Sequence, residues 1–352
     1  MNFDLTTFAR FTLVFVPVWW SWIGQTFYLT RFDSEDVGHT ILTFMQIGCI
    51  AAMALQVQPA LEGSAKGFFL TYSLIRFILV LEYLRVSQCI PEARTFARDM
   101  ASGFSLAIGL WLYSVIAPPH WRALIRMIAV VVEFGTPSAM PKLSWKLPPH
   151  FGHIPERMSQ FTIVVIGEAV ASSIVANSST MVTPVAVLVG LPSLLLLFTT
   201  AWIYFEGVQA QNERHVRSHH DAVKFRLWMY LHLPVMFYLT ALAAGIRSLL
   251  LRPTIHPTDA ATAKMILITA FAISVSMNAL FLTRLNRPRI AVIWQQMLFM
   301  WMVPMVSIAA LPFAGKLDVP FLPLIPAIAT AAQIVVMLLS QESRMQQGDN
   351  AG

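Results

Sequence analysis

The sequence predicts an all-α protein, a polytopic bundle of transmembrane helices. Hydrophobic residues make up 57% of the chain and charged residues only 12%, whereas soluble domains average about 25% charged residues. The mean hydropathy is +0.64. The apolar residues form long runs of the length that a membrane-spanning helix needs, not the alternating pattern of a membrane β-barrel. These observations exclude a soluble enzyme, a disordered chain and a single-span receptor.

Apolar runs divide the 352-residue chain into eleven predicted spans. Most of the loops between them are short, and Pro118-Pro119 predicts a tight turn between the fourth and fifth spans. The fifth is the least apolar, since it carries two arginines and Glu133. The predicted spans are 8–29, 39–58, 67–87, 101–117, 121–136, 156–176, 182–206, 225–248, 262–283, 290–312 and 320–340.

No change of composition divides the chain, so we interpret residues 1–344 as one transmembrane helical domain and 345–352 as a short polar tail. Trp22-Ile23 and Trp202-Ile203 are 180 residues apart, and each precedes an aromatic pair and an acid. This similarity supports the hypothesis of two parallel six-helix halves, 1–150 and 151–344, as in some transporters. The alternative is chance similarity between two aromatic-rich segments.

The positive charges are distributed unequally between the two sides of the predicted bundle. Of the 24 Lys and Arg residues, fifteen lie on the side of the C-terminus and eight on the other. This bias favours a cytoplasmic C-terminus. It also explains the net charge of +6 without a nucleic-acid partner. With eleven spans the N-terminus would lie outside, which is unusual for a chain without a cleavable signal peptide.

The sequence contains no pattern for a cofactor or a metal. Cys49 and Cys89 lie in or beside apolar runs, so no disulfide framework or zinc site is predicted. Phosphate-loop, nucleophile-elbow and dinucleotide-binding patterns are all missing. His215 and His219 have a spacing that can hold a metal on a helix, but we interpret their loop as a solvated, positively charged one.

The stretch from His153 to Glu168 reads H-I-P-E-R-M-S-Q-F-T-I-V-V-I-G-E. It resembles the H-x-x-E-R…G-E segment of the bacterial low temperature requirement protein A family. Further matches follow the family's order: Trp19-Trp20-Ser21-Trp22, Phe27-Tyr28, Arg31-Phe32-Asp33, Trp202-Ile203-Tyr204-Phe205-Glu206 and Tyr230-Leu231-His232. The resemblance covers most of the chain. It implies a multi-pass protein of the bacterial inner membrane and brings no molecular activity with it.

Members of that family open with an additional helix marked E-L-F-F-D-L-V-F-V. Here only Asn2-Phe3-Asp4-Leu5 precedes the first span. We therefore expect that the family's first helix is missing, or that the start codon was misplaced. A twelfth span at the front would return the N-terminus to the cytoplasm, in agreement with the charge bias.

Glu168 is the most informative polar residue within an apolar run. Pro155 suits the first turn of a helix, and Glu168 follows thirteen residues later, roughly 20 Å along the axis and near the bilayer midplane. Because eleven residues make about three turns, Arg157 and Glu168 share a face, with His153 at its end. We expect Glu168 to face the bundle interior and to exchange a proton. The alternative is a structural pair with a buried arginine.

Arg76 lies in the middle of the third span and cannot lose its proton, so it needs an anion or water. It is six residues from Glu82, on the opposite helix face, so these two do not pair. The acids left as partners are Glu168, Glu133 and Glu206. One interpretation is a clamp for an anionic substrate, and the other, which we prefer, is a salt bridge that packs two helices.

Glu206 ends the seventh span, and Tyr230 and His232 lie early in the eighth. We expect these side chains to meet at the cytoplasmic end of the bundle. A histidine there can relay protons, although a single histidine in a span more often bonds a neighbouring helix.

Together these residues favour a transporter or channel for a small solute or ion, proton-coupled through Glu168, in the lipid bilayer. The predicted polar pathway contains Glu168, Arg157, Glu156, His153, Arg76, Glu206, Tyr230 and His232. One alternative is an intramembrane enzyme that uses His153, Glu156 and Arg157 at the cytoplasmic face. Another is a structural or regulatory membrane protein. We favour a non-enzymatic function.

Overall fold

A computed structural model describes residues 5–32, 36–139, 153–178, 184–209, 219–251, 260–283 and 301–349. Throughout these ranges every regular element is a helix and none is a strand, which confirms the predicted all-α fold. The chain divides into two compact units, one covering Leu5–Ile154 and the other beginning at Pro155.

The described part of the first unit, up to residue 139, contains six α-helices, and two of them begin with clear local signals. Asp36 caps the second helix, where its carboxylate accepts a hydrogen bond from the backbone N–H of His39 at 3.0 Å. Pro119 starts the sixth helix, since its fixed φ angle suits a first turn. The helices are α1 (Leu5–Leu29), α2 (Val37–Leu55), α3 (Val57–Leu61), α4 (Lys66–Cys89), α5 (Arg94–Ile116) and α6 (Pro119–Ser138).

Helix α4 is the centre of this unit and packs against α1, α2, α3 and α5, while α5 packs against α6. Four of its five aromatic side chains are fully buried, and one of them, Phe69, stacks on Trp111 of α5 with ring centroids 5.0 Å apart. Trp20 of α1 stacks in the same way on Phe134 of α6, at 3.9 Å. Since lipid is as apolar as these side chains, close packing and polar contacts, not hydrophobicity, hold such helices together.

The chain between α2 and α4 is more structured than the sequence predicted. The predicted span 39–58 ends earlier, at Leu55, and the short helix α3 follows it. Gly63 then turns the chain with a φ of +108°, a left-handed conformation that side chains disfavour. The apolar residues of α3 extended the predicted span, because an apolar run does not reveal a break in the helix axis.

The second unit contains α7 (His153–Ser178, whose first two residues precede the boundary), α8 (Pro184–Gln209), α9 (His219–Leu250), α10 (Ala260–Leu282), α11 (Met302–Ala310) and α12 (Phe321–Asp349). α9 packs on α8 and α10, whereas α12 packs on α8, α10 and α11. Helix α12 continues through Asp349, so the predicted polar tail at 345–352 is helical as far as that residue. The first part of the predicted span 290–312 lies outside the described residues.

Six of the described helices are long and apolar enough to cross a membrane: α2, α4, α5 with its preceding turn, α8, α9 and α10. Helices α11 and α12 contain shorter apolar stretches. The helices α1, α6 and α7 coincide with predicted spans but are less apolar. A helical membrane bundle is therefore the architecture, and the count of eleven spans stays a prediction.

Candidate functional site

A buried ion pair joins α4 to α6 in the first unit. Arg76 donates from Nε to Oε1 of Glu133 at 2.9 Å, and both side chains are 1% exposed. The hydroxyl of Tyr72 donates to the other carboxylate oxygen at 2.5 Å. The guanidinium carbon of Arg76 also lies 4.4 Å from the ring centre of Phe104. Both oxygens of Glu133 are therefore occupied by fixed donors.

This geometry decides which acid neutralises Arg76. Of the three acids that the sequence left open, Glu133 on α6 provides the carboxylate within hydrogen-bonding distance. The preferred interpretation, a salt bridge that packs two helices, agrees with this pair. Gly24 of α1 lies against the guanidinium so closely that a Cβ at this position would collide with Nη1. Such complete enclosure is typical of a packing salt bridge, not of a clamp open to substrate.

A second buried polar cluster surrounds Glu82, farther along α4 and on another face of the helix. Gln25 of α1 donates from Nε2 to Oε1 of Glu82 at 3.3 Å. Gln46 of α2 donates to the amide oxygen of Gln25 at 3.1 Å. Nδ1 of His39, also on α2, lies 3.3 Å from the same Glu82 oxygen. Gln25 and His39 thus contact the Glu82 carboxyl group, which is 0% exposed, and Gln46 reaches it through Gln25.

Exposure falls step by step from the end of α2 to this carboxyl group. Asp36 and Arg85 form a salt bridge whose side chains are 43% and 32% exposed. His39, one helical turn from Asp36, is 13% exposed, and Glu82 is fully buried. The Arg85 guanidinium, with the His39 backbone N–H, lowers the pKa of Asp36 to about 2, so this carboxylate stays ionised. We call Asp36, Arg85, His39, Glu82, Gln25 and Gln46 the Glu82 network.

Glu133 and Glu82, both buried, differ in how their charge is balanced. Glu133 has Arg76, whereas no Lys or Arg of the described chain forms a salt bridge with Glu82. Oε2 of Glu82 has no hydrogen-bond partner in the ranges that the structure describes. A carboxyl group that has a histidine beside it but no Lys or Arg partner can gain or lose a proton without breaking a salt bridge to a permanent cation.

Helix α7 carries four residues of the predicted polar pathway, and they do not lie on its buried face. His153, Glu156, Arg157 and Glu168 are all exposed. Gln160 connects two of them, since it contacts Arg157 at 3.5 Å and Glu156 at 3.4 Å.

Within the second unit, Glu168 does not lie among the buried residues of α7. The buried residues of α7 include Met158 and Ala169, which directly follow Arg157 and Glu168. One residue is about 100° around a helix. Arg157 and Glu168 do share a face, but it lies about a quarter turn from the buried one.

The cluster predicted at the ends of α8 and α9 is partly assembled within the second unit. His232 is fully buried, and its Nδ1 lies 2.9 Å from the backbone oxygen of Trp228. The ring of Tyr204 meets the imidazole edge-on at 5.8 Å. Glu206 and Tyr230 are half-buried. The helices therefore meet here, and Tyr204 of α8 contacts His232 of α9.

Sequence reasoning missed His39, Gln25 and Gln46, and treated Glu82 only as a residue that does not pair with Arg76. The available signal was two glutamines in apolar runs and a histidine three residues after a capping Asp. Of the two histidines with metal-type spacing, His215 lies outside the described residues. Within the described ranges, no three His, Cys, Asp or Glu side chains are grouped to hold a metal.

Comparison with known proteins agrees with this architecture. The sequence profile of the family described as bacterial low temperature requirement A protein matches residues 1–339. A protein of Rhizobium meliloti (strain 1021), described as uncharacterized, is 25% identical over 262 residues. That alignment covers 69% of this chain and 62% of the relative, so it spans less than two thirds of the relative's length. No solved structure matches. The chain belongs to the bacterial low temperature requirement A protein family.

Proposed function

We propose that this membrane protein is a carrier of a small solute or ion, and that it is coupled to protons through Glu82 and His39. Its setting in this proposal is the bacterial inner membrane, with a cytoplasmic C-terminus. The observation that carries the proposal is the Glu82 carboxyl group, fully buried and without a salt bridge to Lys or Arg among the described residues. Acids within membrane spans are rare, and they mark proton and ion pathways.

The chemistry follows from the contact between Glu82 and His39. Their nearest atoms, Oε1 and Nδ1, are 3.3 Å apart. A proton that moves from an imidazolium to the carboxylate converts an ion pair into two neutral groups, and the network stays in place. The pair is neutral overall in both states, whereas loss of the proton leaves an unpaired carboxylate in a low-dielectric interior, which is costly. Occupancy by a proton therefore changes the electrostatic state of the α1–α2–α4 contact, which is what a coupled carrier requires.

The residues around Glu82 and His39 define an outer and an inner side of the proposed proton site. Glu82 is seven residues from Cys89, the last residue of α4, or about 10 Å along the axis. The exposed Asp36–Arg85 pair lies near that end, and His39 lies between it and Glu82. Gln25 and Gln46 close the inner side by hydrogen bonds. Glu168 is not part of the proposed proton site, because its side chain is exposed.

Infrared difference spectroscopy of the purified protein in lipid tests the proton site without knowledge of the solute. During a pH titration, we expect a carbonyl band of a protonated carboxyl group that disappears in Glu82→Gln. Gln keeps the size and hydrogen bonds of Glu but cannot ionise. Exposed Glu92→Gln is the matched control and should retain the band. A band that is unchanged in Glu82→Gln would contradict the proposal.

Coupling is measured in inverted membrane vesicles with an acid interior, monitored by acridine orange. Sodium, potassium, amino acids, sugars and polyols are added in turn to vesicles that contain the wild type or Glu82→Gln. We expect at least one compound to release protons with the wild type and none with the variant. Proton release that persists in Glu82→Gln would assign the coupling to another group.

A further inference from the structure

The second unit encloses a cavity between α8, α9, α10, α11 and α12. Its polar lining consists of Thr200 of α8, Ser274 and Asn278 of α10, and Thr330 and Gln333 of α12. The remaining lining residues are aliphatic, methionine included. Five hydroxyl or amide side chains from three helices therefore meet in a region that is otherwise apolar.

Four of these five polar side chains are buried. Thr200, Ser274, Asn278 and Thr330 are each at least nine-tenths buried. The hydroxyl of Thr330 contacts that of Thr199 at 2.6 Å. For the hydroxyls of Thr200 and Ser274, the described part of the chain offers no hydrogen-bond partner. A hydroxyl left unbonded in an apolar interior is costly, so these two groups are expected to bond an occupant of the cavity.

The lining also restricts the chemistry of that occupant. None of the described lining residues is charged. An ion at membrane depth requires a counter-charge or many dipoles, whereas a neutral solute needs only donors and acceptors. Ser274 lies fourteen residues after Ala260 and eight before Leu282, or about 20 and 12 Å from the helix ends. This depth is where transporters bind their solutes.

We propose that this cavity is a hydrated polar site that receives one hydroxyl or amide group of a small neutral solute, with water in its place when the solute is absent. The free space is about that of one water molecule, which fits one such group. This inference rests on the proposed carrier function and names its substrate class. The residues involved belong to the second unit and do not include the Glu82 network.

Cysteine accessibility tests the site independently of proton coupling. The chain has two cysteines, so the background is Cys49→Ala with Cys89→Ala. Into it are placed Thr200→Cys, Ser274→Cys or the control Ile268→Cys, which lies on α10 with a side chain that is 46% exposed on the outside of the unit. Each protein in liposomes is treated with Ag⁺ in nitrate buffer, and the remaining thiols are counted with a fluorescent maleimide after unfolding.

We expect the thiols at positions 200 and 274 to react at least about tenfold faster than that at 268, because thiols form the reactive thiolate far more readily in water than in lipid. Formamide, urea and glycerol are then added in turn. At least one should slow the reaction at position 274 but not at the exposed native Cys89, tested with Cys49→Ala alone. Potassium nitrate at the same concentration should have no such effect.

Two results would overturn the inference. A Ser274→Cys thiol that reacts no faster than the Ile268→Cys thiol would show that water does not reach the cavity. A fast reaction that none of the three compounds slows would show a hydrated cavity without a solute site. Size-exclusion profiles establish that each variant is folded. The two proposals can fail separately. If the infrared band of Glu82 is absent, the accessibility results at positions 200 and 274 keep their meaning.

Discussion

Arg76 of α4 and Glu133 of α6 form a salt bridge of 2.9 Å inside the first unit, where each side chain is 1% exposed. Tyr72 completes the coordination of the carboxylate, and Phe104 covers the guanidinium. The two charges neutralise each other within the unit, and both side chains are buried. The pair therefore serves to hold α6 against α4, and its removal should affect stability.

Removal of one partner should be strongly destabilising. Glu133→Leu leaves the Arg76 charge buried without a partner, at a cost of about 3–5 kcal/mol in the free energy of unfolding. The double variant Arg76→Met with Glu133→Leu should recover most of that loss, because no charge remains. Exposed Arg98→Ala should change stability by no more than about 0.5 kcal/mol. Unfolding by SDS in mixed micelles measures these differences, and equal losses in the single and double variants would contradict the assignment.

Gly24 should be intolerant of even a methyl group. A Cβ at this position would overlap Nη1 of Arg76, and the guanidinium is held by its bonds to Glu133. We expect Gly24→Ala to lower the free energy of unfolding by about 1–3 kcal/mol, as overpacking does. Gly109→Ala is the control, since nothing lies within 4 Å of its Cβ position. That change should be neutral or stabilising by up to about 1 kcal/mol. Equal effects of the two changes would refute the close contact.

The Asp36–Arg85 pair should make stability depend on pH in the acidic range only. The pKa of Asp36 is lowered to about 2 by the Arg85 guanidinium, below the value near 4 of an unfolded chain. A lowered pKa adds stability above the unfolded value and loses it as the pH falls towards the folded value. Asp36→Asn keeps the helix cap but not the charge.

The difference between wild type and Asp36→Asn should therefore be constant from about pH 8 to pH 5 and shrink below about pH 4. Thermal unfolding followed by tryptophan fluorescence at several pH values checks this. A difference that grows as the pH falls would have the wrong sign for this pair.

Glu168 and Glu82 should respond differently to the same substitution. Because Glu168 lies outside the Glu82 network, Glu168→Gln should leave the infrared carboxyl band of Glu82 in place. Glu82→Gln should remove that band. If Glu168→Gln removes the band and Glu82→Gln keeps it, the proton site lies on α7.

Most helices followed from the sequence because a span of apolar residues in lipid must satisfy its backbone groups internally, and an α-helix does so. The predicted starts and ends of α4, α5 and α10 lie within a few residues of the observed ones, except at the start of α5. Helix α3 and the end of α12 were missed. Their residues are too few or too polar to form an apolar run, and neighbouring helix geometry decides their conformation.

The sequence predicted less about the contacts of the polar residues than about the helices. Spacing alone predicted that Arg157 and Glu168 share a helix face and that Arg76 and Glu82 do not pair, because both statements concern one helix. Which face packs inward depends on the other helices, and α7 is apolar on several sides. The choice of Glu133 for Arg76, and the meeting of Gln25, His39 and Gln46 around Glu82, required the tertiary structure. Helices in lipid associate through shape and hydrogen bonds between residues far apart in the sequence, and those pairings leave no periodic pattern in a single chain.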